Sequence, residues 1–249
     1  MINQGIHSHV VICNWNQHAD SIVKELHADV IRTKRPIIII TPNPADVPSA
    51  HHRAYQGVFI INGDPTDERF LRRAHLDTAD SAIILADRRK GESADAYSII
   101  IALAVESINP DVYTIVELLN HRNKIHFAHT QVDELVCVEE ISEKVIAQSA
   151  ITHGISEVYL HLLSATRDSN EIYIVPVPAF MSGWSFGRVT RWLDGKINII
   201  PIGFINTGER LVINPEKPES ARLEPGARLI VLAYEEPDLT TFKEHTHAD

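Results

Sequence analysis

The sequence has 249 residues, of which 44% are hydrophobic and 22% charged, and its formal net charge is −10. This composition predicts a globular chain with one large or two modest domains, and its acidity disfavours nucleic-acid binding, which needs clustered lysine and arginine. No window approaches the roughly 18 consecutive apolar residues of a membrane span, and the N-terminal residues lack the pattern of a secretion signal, so we expect a cytoplasmic protein.

Apolar runs alternate with helical patterns over the first 140 residues. Continuous apolar strands that alternate with helices indicate a parallel sheet covered on both faces. We therefore predict an α/β fold with a Rossmann-like doubly wound parallel sheet, in a domain that spans residues 7–140. The six strand-like runs are HVVIC, RPIIIITP, GVFIING, SAIILA, VYTIVELL and ELVCVEE.

The turn after the first strand occupies the place where dinucleotide-binding folds carry G-x-G-x-x-G, but the three glycine positions hold Asn14, Asn16 and Ala19. Asparagine tolerates positive φ and can preserve the turn, whereas its side chain crowds a diphosphate approaching the helix. In the second strand, Thr41 stands where a carboxylate would bind a ribose hydroxyl. The missing glycines and the missing carboxylate both argue against classical NAD binding. A purely structural role for Asn14 and Thr41 in their turns stays an open interpretation.

Another adenine nucleotide stays an alternative ligand, because Asp64 and Arg88 are placed to flank a nucleobase and a phosphate. Asp64 is also predicted to cap the second helix, with Pro65 at its first position and Asp67 in its first turn. The candidate nucleotide-binding residues are Asn14, Trp15, Asn16, Thr41, Asp64 and Arg88.

Acidic residues follow the fourth strand and interrupt the fifth, and the carboxyl ends of such strands converge on one crevice. Calcium takes six to eight oxygen ligands, several of them from carboxylates. We therefore predict a metal site made of Asp87, Glu92 and Glu117, with Asp95 close by. The competing interpretation of Glu117 is a salt bridge, for which the candidate partners are Arg88, Arg89 and Arg122.

The pattern changes after residue 140. Residues 141–166 predict two apolar-striped helices separated at Gly154, which we expect to pack on a partner subunit. Residues 170–238 then predict a small α+β domain of short strands with one helix, in which residues 206–208 join the middle two strands.

Two segments carry a resemblance to a known family. The run from Gly63 to Asp80 and the looser G-x-x-L-x-P-G-x-x-L ending from Glu219 to Leu229, in this order around the helix pair, resemble the RCK domain. This domain is the regulator of potassium conductance, also called KTN or TrkA-N with TrkA-C, and the resemblance runs over nearly the whole chain. It implies a sensor that dimerises through the crossover helices and assembles into a ring of up to eight domains at the inner face of the cell membrane.

The resemblance implies a gating-ring domain that couples ion or nucleotide binding to the pore of a potassium channel, in the same gene or a separate one. Calcium and an adenine nucleotide (NAD, ADP or ATP) are the candidate ligands. In calcium-gated members, a carboxylate after the fourth strand and a pair of fifth-strand acids form the site; Glu117 matches the first of that pair, and Leu119 stands at the second. Two alternatives are a nucleotide-binding subunit of a Trk or Ktr-type transporter and a stand-alone metabolite sensor.

We do not expect an enzyme. Cys13 and Cys137 lie in apolar runs, the histidines are scattered, and no triad, paired-carboxylate site or metal-protease helix occurs at a recognisable spacing. The sequence therefore offers no candidate catalytic residues.

Overall fold

The computed structural model describes residues 5–28, 34–48, 53–164, 170–194, 198–208 and 210–242. It divides into two compact units, residues 1–155 and 156–249. The three predicted segments, 7–140, 141–166 and 170–238, stay predictions, since the unit boundary falls inside the second of them. Within the described ranges, we find no helix with the length and apolar content needed to cross a bilayer.

Unit 1 contains a six-stranded, all-parallel sheet with the strand order β3-β2-β1-β4-β5-β6. This order reverses direction between β1 and β4, as in doubly wound folds, so the predicted fold class is confirmed. The strands are β1 (Val10–Cys13), β2 (Ile37–Thr41), β3 (Val58–Asn62), β4 (Ser81–Ile84), β5 (Tyr113–Leu118) and β6 (Glu134–Cys137).

Helices cover both faces of this sheet, which explains why β1 and β2 are apolar at nearly every position. On one face α1 packs against alternate residues of β1 and β2, and on the other face α2 and α3 pack against the intervening residues. Helix α3 ends before Asn109. As predicted, a break at Gly154, where φ is 86°, separates α4 from α5. The helices are α1 (Ala19–Leu26), α2 (Glu68–Arg73), α3 (Ala94–Ile108), α4 (Val138–Ile151) and α5 (Ile155–Leu163).

The start of α2 differs from the prediction. The N-cap is Asp67, whose side chain accepts a hydrogen bond from the backbone N–H of Arg69. Asp64 was wrongly predicted as the cap, because its carboxylate instead accepts from the backbone N–H and hydroxyl of Thr66 in the turn before the helix. Two aspartates three residues apart give the same capping signal, and they differ in that the helix begins at Glu68, directly after Asp67.

Unit 2 contains a four-stranded antiparallel sheet with the order β7-β10-β8-β9. Helix α6 (Phe186–Leu193), capped by Ser185, contributes to a core on one face of the sheet that includes Phe204 and Val231. The predicted small α+β fold is therefore confirmed. The strands are β7 (Glu171–Pro176), β8 (Ile199–Ile205), β9 (Leu211–Ile213) and β10 (Arg228–Ala233).

Candidate functional site

The carboxyl ends of β1, β4 and β5 form the candidate site in unit 1. Ligands bind doubly wound sheets at this edge, beside the point where the strand order reverses. The turn between β1 and α1, the residues after β4 and the C-terminal half of β5 all meet here.

Asparagines shape the turn between β1 and α1. Asn14 has φ of 71° and is fully buried, and its side-chain amide donates to the carbonyl of Leu85, at 3.0 Å. Asparagine tolerates this left-handed conformation better than most side chains, so the turn survives without a glycine.

The side chain of Asn16 connects α1, β4 and β5. Its Oδ1 accepts from the backbone N–H of His18 at 2.9 Å, just before α1 begins. Its Nδ2 donates both to the carbonyl of Ala86, at 3.0 Å, and to Oε2 of Glu117, at 2.6 Å. One amide therefore fixes the helix start and orients the carboxylate of β5.

Glu117 is the charged group at the centre of the site. Only 6% of its surface is exposed, and Oε2 accepts hydrogen bonds from Asn16 and from the backbone N–H of Ala86, at 3.0 Å. Within the described part of the chain, nothing donates a hydrogen bond to Oε1. Nε2 of His18 lies 3.8 Å from it and a guanidinium nitrogen of Arg88 lies 3.9 Å away. A buried carboxylate oxygen with no donor is costly, so this atom is suited to a cation or a hydrogen-bond donor.

The predicted salt bridge of Glu117 is thus only a loose contact. Arg88 is beyond hydrogen-bond distance, and its side chain is 40% exposed. Arg89 instead binds Asp87, with Nε 2.8 Å from Oδ1, and reaches Asp46 at 3.4 Å. Neither arginine gives Glu117 the close, bidentate partner that stabilises a buried carboxylate.

An open cleft of about 300 Å³ lies at this edge. Its lining mixes an aromatic ring, two amides, two carboxylates and two guanidinium groups. The lining residues are Trp15, Asn16, Gln17, Asp46, Asp87, Arg88 and Arg89.

The three predicted metal ligands do not form one cluster. Asp87 is bonded to Arg89, Glu92 is exposed, and Glu117 is held by Asn16. Among the residues that the structure describes, no group of three or more His, Cys, Asp or Glu side chains is placed to hold a metal ion. The free Oε1 of Glu117 fits a cation, but the further oxygens of a calcium shell are not assembled around it.

Asp95 has a structural role. It is 3% exposed; Oδ1 accepts from the backbone N–H of Leu119 at 2.9 Å, and Oδ2 accepts from Asn120 N and Asn123 Nδ2. This carboxylate therefore ties the first turn of α3 to the loop after β5.

Two of the predicted nucleotide-binding residues lie near the ends of other strands, Thr41 at the end of β2 and Asp64 in the turn after β3. Thr41, at the end of β2, is fully buried, and its hydroxyl accepts from the backbone N–H of Asn43. Asp64 accepts a hydrogen bond of 2.6 Å from the hydroxyl of Tyr97. Burial raises the pKa of the Asp64 carboxyl, but the hydrogen bonds from Tyr97 and Thr66 outweigh burial and keep that pKa below its ordinary value.

Sequence reasoning missed His18, Tyr97 and Lys90. Nζ of Lys90 lies 4.0 Å from the centre of the Tyr97 ring, and burial together with the bond to Asp64 raises the pKa of the Tyr97 hydroxyl. Their positions in the sequence could have indicated a place in the site. His18 precedes α1, Lys90 and Tyr97 lie around the start of α3, and both helix starts border the crevice.

Part of this chain matches a known protein family. Residues 5–116 match the family model described as the calcium-activated potassium channel slowpoke-like RCK domain. The resemblance to RCK domains is confirmed. The fold also resembles the human SLO3 gating ring, with a TM-score of 0.67 and 19% identity over 91% of this chain and 44% of that chain.

Two curated relatives are named as potassium channel proteins, one of them as putative. The calcium-gated potassium channel TvoK of Thermoplasma volcanium is 27% identical over 171 residues, which is 67% of this chain and 47% of TvoK. The putative potassium channel protein YugO of Bacillus subtilis is 26% identical over 196 residues, which is 78% of this chain and 57% of YugO. The chain thus spans about half the length of the curated relatives it matches.

Proposed function

We propose that this chain is the cytoplasmic, ligand-sensing gating-ring domain of a potassium channel, and that unit 1 holds its ligand at the carboxyl edge of the parallel sheet. The match to the RCK family model and the similarity to TvoK support this assignment. The observation that carries it is the buried carboxylate of Glu117, one oxygen of which has no hydrogen-bond donor among the described residues. The role is regulatory and not catalytic.

A ligand at Oε1 of Glu117 is well placed to bias the conformation of unit 1. The other carboxylate oxygen is bonded to Asn16 after β1 and to Ala86 after β4, so three neighbouring strands share this group. A ligand shifts a conformational equilibrium only by its difference in affinity for the two states. A cation that relieves the buried charge in one arrangement of these strand ends satisfies that condition.

Calcium is the first candidate ligand, because TvoK is named as calcium-gated and because carboxylate oxygens are its preferred ligands. We propose Glu117, Asp87 and Glu92 as its ligands. Asp87 would first have to release Arg89, with which it now pairs at 2.8 Å.

The proposed assembly is a homo-oligomer, from a dimer to an eight-membered ring, at the inner face of the membrane beside a pore domain. The helix pair at 141–166 is the proposed dimer contact. In its support, α4 has no buried residue and exposes Ile141, Ile146 and Ile151 by 50%, 70% and 81%. Exposed apolar side chains of this size are typical of interaction surfaces.

Thermal unfolding of the purified chain in calcium tests the proposal. A ligand of the native state stabilises it by mass action, by about 2.7 kcal/mol at a hundred times Kd. We expect calcium to raise Tm of the wild type and to leave that of Glu117→Gln unchanged. Glu134→Gln is the matched control, since Glu134 is an exposed acid on β6 bonded to Tyr113, and it should respond like the wild type.

Two outcomes contradict the proposal: no response to calcium in the wild type, or an equal response in Glu117→Gln. A response to adenine nucleotides alone would instead favour a nucleotide-binding regulatory subunit of a transporter.

A further inference from the structure

We infer that the turn between β1 and α1 excludes diphosphates, because the side chain of Asn16 occupies the position where a dinucleotide fold binds them. The cleft would therefore select cationic or neutral ligands over NAD, ADP and ATP. This inference rests on the proposed function for the location of the ligand, and it concerns the chemical class that the cleft accepts.

A diphosphate at this position requires free backbone N–H groups at the start of the helix and a glycine that lets the ligand approach them. In this chain Asn16 satisfies two of those donors itself. Its side-chain Oδ1 accepts from His18 N at 2.9 Å, and its backbone carbonyl accepts from Ala19 N at 3.1 Å. Two of the N–H groups at this helix end are therefore already satisfied within the chain.

The Asn16 side chain is also held firmly in place. Its Nδ2 donates to the carbonyl of Ala86 and to the carboxylate of Glu117, so three hydrogen bonds fix one amide. An incoming diphosphate would have to break these bonds and leave the buried Glu117 carboxylate with one donor fewer. A buried charge that loses a hydrogen-bond donor is strongly destabilised.

Electrostatics oppose a diphosphate at the same point. Glu117 puts a buried negative charge 2.6 Å from Asn16 Nδ2, and Asp46 and Asp87 add two further carboxylates at the cleft. The guanidinium of Arg89 is already paired with both of these aspartates, which leaves Arg88 as the cation facing Glu117. Like charges at short range in a partly buried site repel strongly.

The second strand gives independent support. Thr41 replaces the acid that would bind the ribose, and its hydroxyl accepts from the backbone N–H of Asn43 at 3.2 Å. Neither the diphosphate position nor the ribose position presents the group that a dinucleotide needs. NAD therefore does not fit this turn as the chain is folded.

Titration calorimetry with inorganic pyrophosphate in metal-free buffer tests the inference. We expect no saturable binding to the wild type. The double variant Asn16→Gly with Glu117→Gln removes both the side chain that fills the site and the charge that repels the ligand. It should bind pyrophosphate saturably, at least tenfold more tightly than the weakest binding that the wild-type titration can detect. ADP serves as a second probe and should follow the same order.

The matched control is Asn123→Gly with Glu134→Gln. It removes another amide bonded to a carboxylate in unit 1, together with another acid of the same sheet, and should gain no pyrophosphate binding. Asn16→Ala replaces the double variant if that protein does not fold, and it should show a smaller gain.

Saturable pyrophosphate binding by the wild type would overturn the inference, as would variants of Asn16 that fold but gain no binding. These outcomes are separate from those of the calcium experiment. A chain that ignores both calcium and pyrophosphate contradicts the proposed cation sensor and leaves this inference standing.

Discussion

The sheets of the two units differ in how many of their faces are buried. Unit 1 buries its parallel sheet on both faces, whereas unit 2 covers one face of its antiparallel sheet and leaves apolar side chains exposed on the other. Nine of the ten buried polar or charged side chains among the described residues belong to unit 1, and the tenth is Ser185. The exposed side chains of the unit 2 sheet are Ile172, Ile174, Ile200, Leu211 and Ile213.

The two units also differ in the side chains that they bury: unit 1 buries polar groups near its strand ends, whereas unit 2 buries an aromatic core. In unit 1 the strands β1 and β2 are buried at every position, and polar side chains such as Asn14, Thr41 and Glu117 lie at or near the carboxyl ends of the strands. In unit 2 an aromatic group that includes Phe180, Trp184 and Trp192 stabilises the core, with ring centres 5.5 to 6.4 Å apart. This contrast supports the proposal that the ligand binds in unit 1.

The largest expected effect comes from the buried centre of the parallel sheet. Ile39 on β2 is fully buried between β1 and β3, so Ile39→Ala should destabilise unit 1 by about 2–5 kcal/mol. Ile60→Ala, on the adjacent edge strand and at a residue 43% exposed, should cost under about 1 kcal/mol. Hydrogen exchange of the β1 and β2 amides measures the loss of unfolding free energy in both variants. Equal losses would contradict the description of a sheet buried on both faces.

Two glycines of unit 2 give the next effect. A Cβ at Gly203 would lie 2.3 Å from the backbone carbonyl oxygen of Val212, so Gly203→Ala should separate β8 from β9 and cost about 1–3 kcal/mol. A Cβ at Gly187 would also lie 2.3 Å from a neighbour, but that neighbour is the end of the Glu219 side chain, which is able to rotate. Rotation of Glu219 would weaken its exposed ion pair with Arg191, so Gly187→Ala should cost under about 1 kcal/mol.

Urea unfolding followed by tryptophan fluorescence separates the two glycine variants, because Trp184 and Trp192 lie in or against the unit 2 core. A larger loss of unfolding free energy in Gly187→Ala than in Gly203→Ala would contradict this prediction.

A pH effect on unit 1 should be smaller. His9 is fully buried and its Nε2 donates to the carbonyl of Ala74 at 2.7 Å. Burial lowers the pKa of its imidazole below 6.5, an effect that the neighbouring His75 reinforces and the Ala74 carbonyl and Asp77 oppose. The unfolded chain therefore binds more protons between the two pKa values, so this contribution to stability is present above pH 6.5 and decreases as the pH falls through the folded-state value.

Unfolding free energies of the wild type and His9→Gln across pH 5 to 8 check this prediction. We expect the difference between the two proteins to shrink as the solution becomes more acidic. A difference that is constant or that grows on acidification would contradict it.

The smallest effect concerns the cysteines. Cys13 is fully buried in β1, and burial raises the pKa of its thiol to about 12, while Cys137 is 3% exposed. The thiolate is the reactive form, so both residues should resist a thiol reagent in the native chain and react after unfolding in urea. Rapid modification of either thiol in the native protein would show that unit 1 opens more readily than its packing indicates.

The sequence predicted the parallel sheet because its strands are continuous apolar runs, and it located Glu117 because an acid inside such a run is unusual. It did not predict what Glu117 contacts. Asn16 is 101 residues away along the chain, and their contact depends on the order of β1, β4 and β5 in the sheet. The cap of α2 was wrongly assigned to Asp64 because Asp64 and Asp67 give the same capping signal, and the sequence does not show that the helix begins at Glu68.

The central claim is that ligand binding at Glu117 changes how copies of this chain are arranged. Small-angle X-ray scattering, combined with mass measurement, tests it on the purified chain with and without calcium. We predict an oligomer whose radius of gyration changes on addition of calcium in the wild type and in Glu134→Gln, and stays constant in Glu117→Gln. A monomer at every concentration, or an identical change in Glu117→Gln, would contradict the claim.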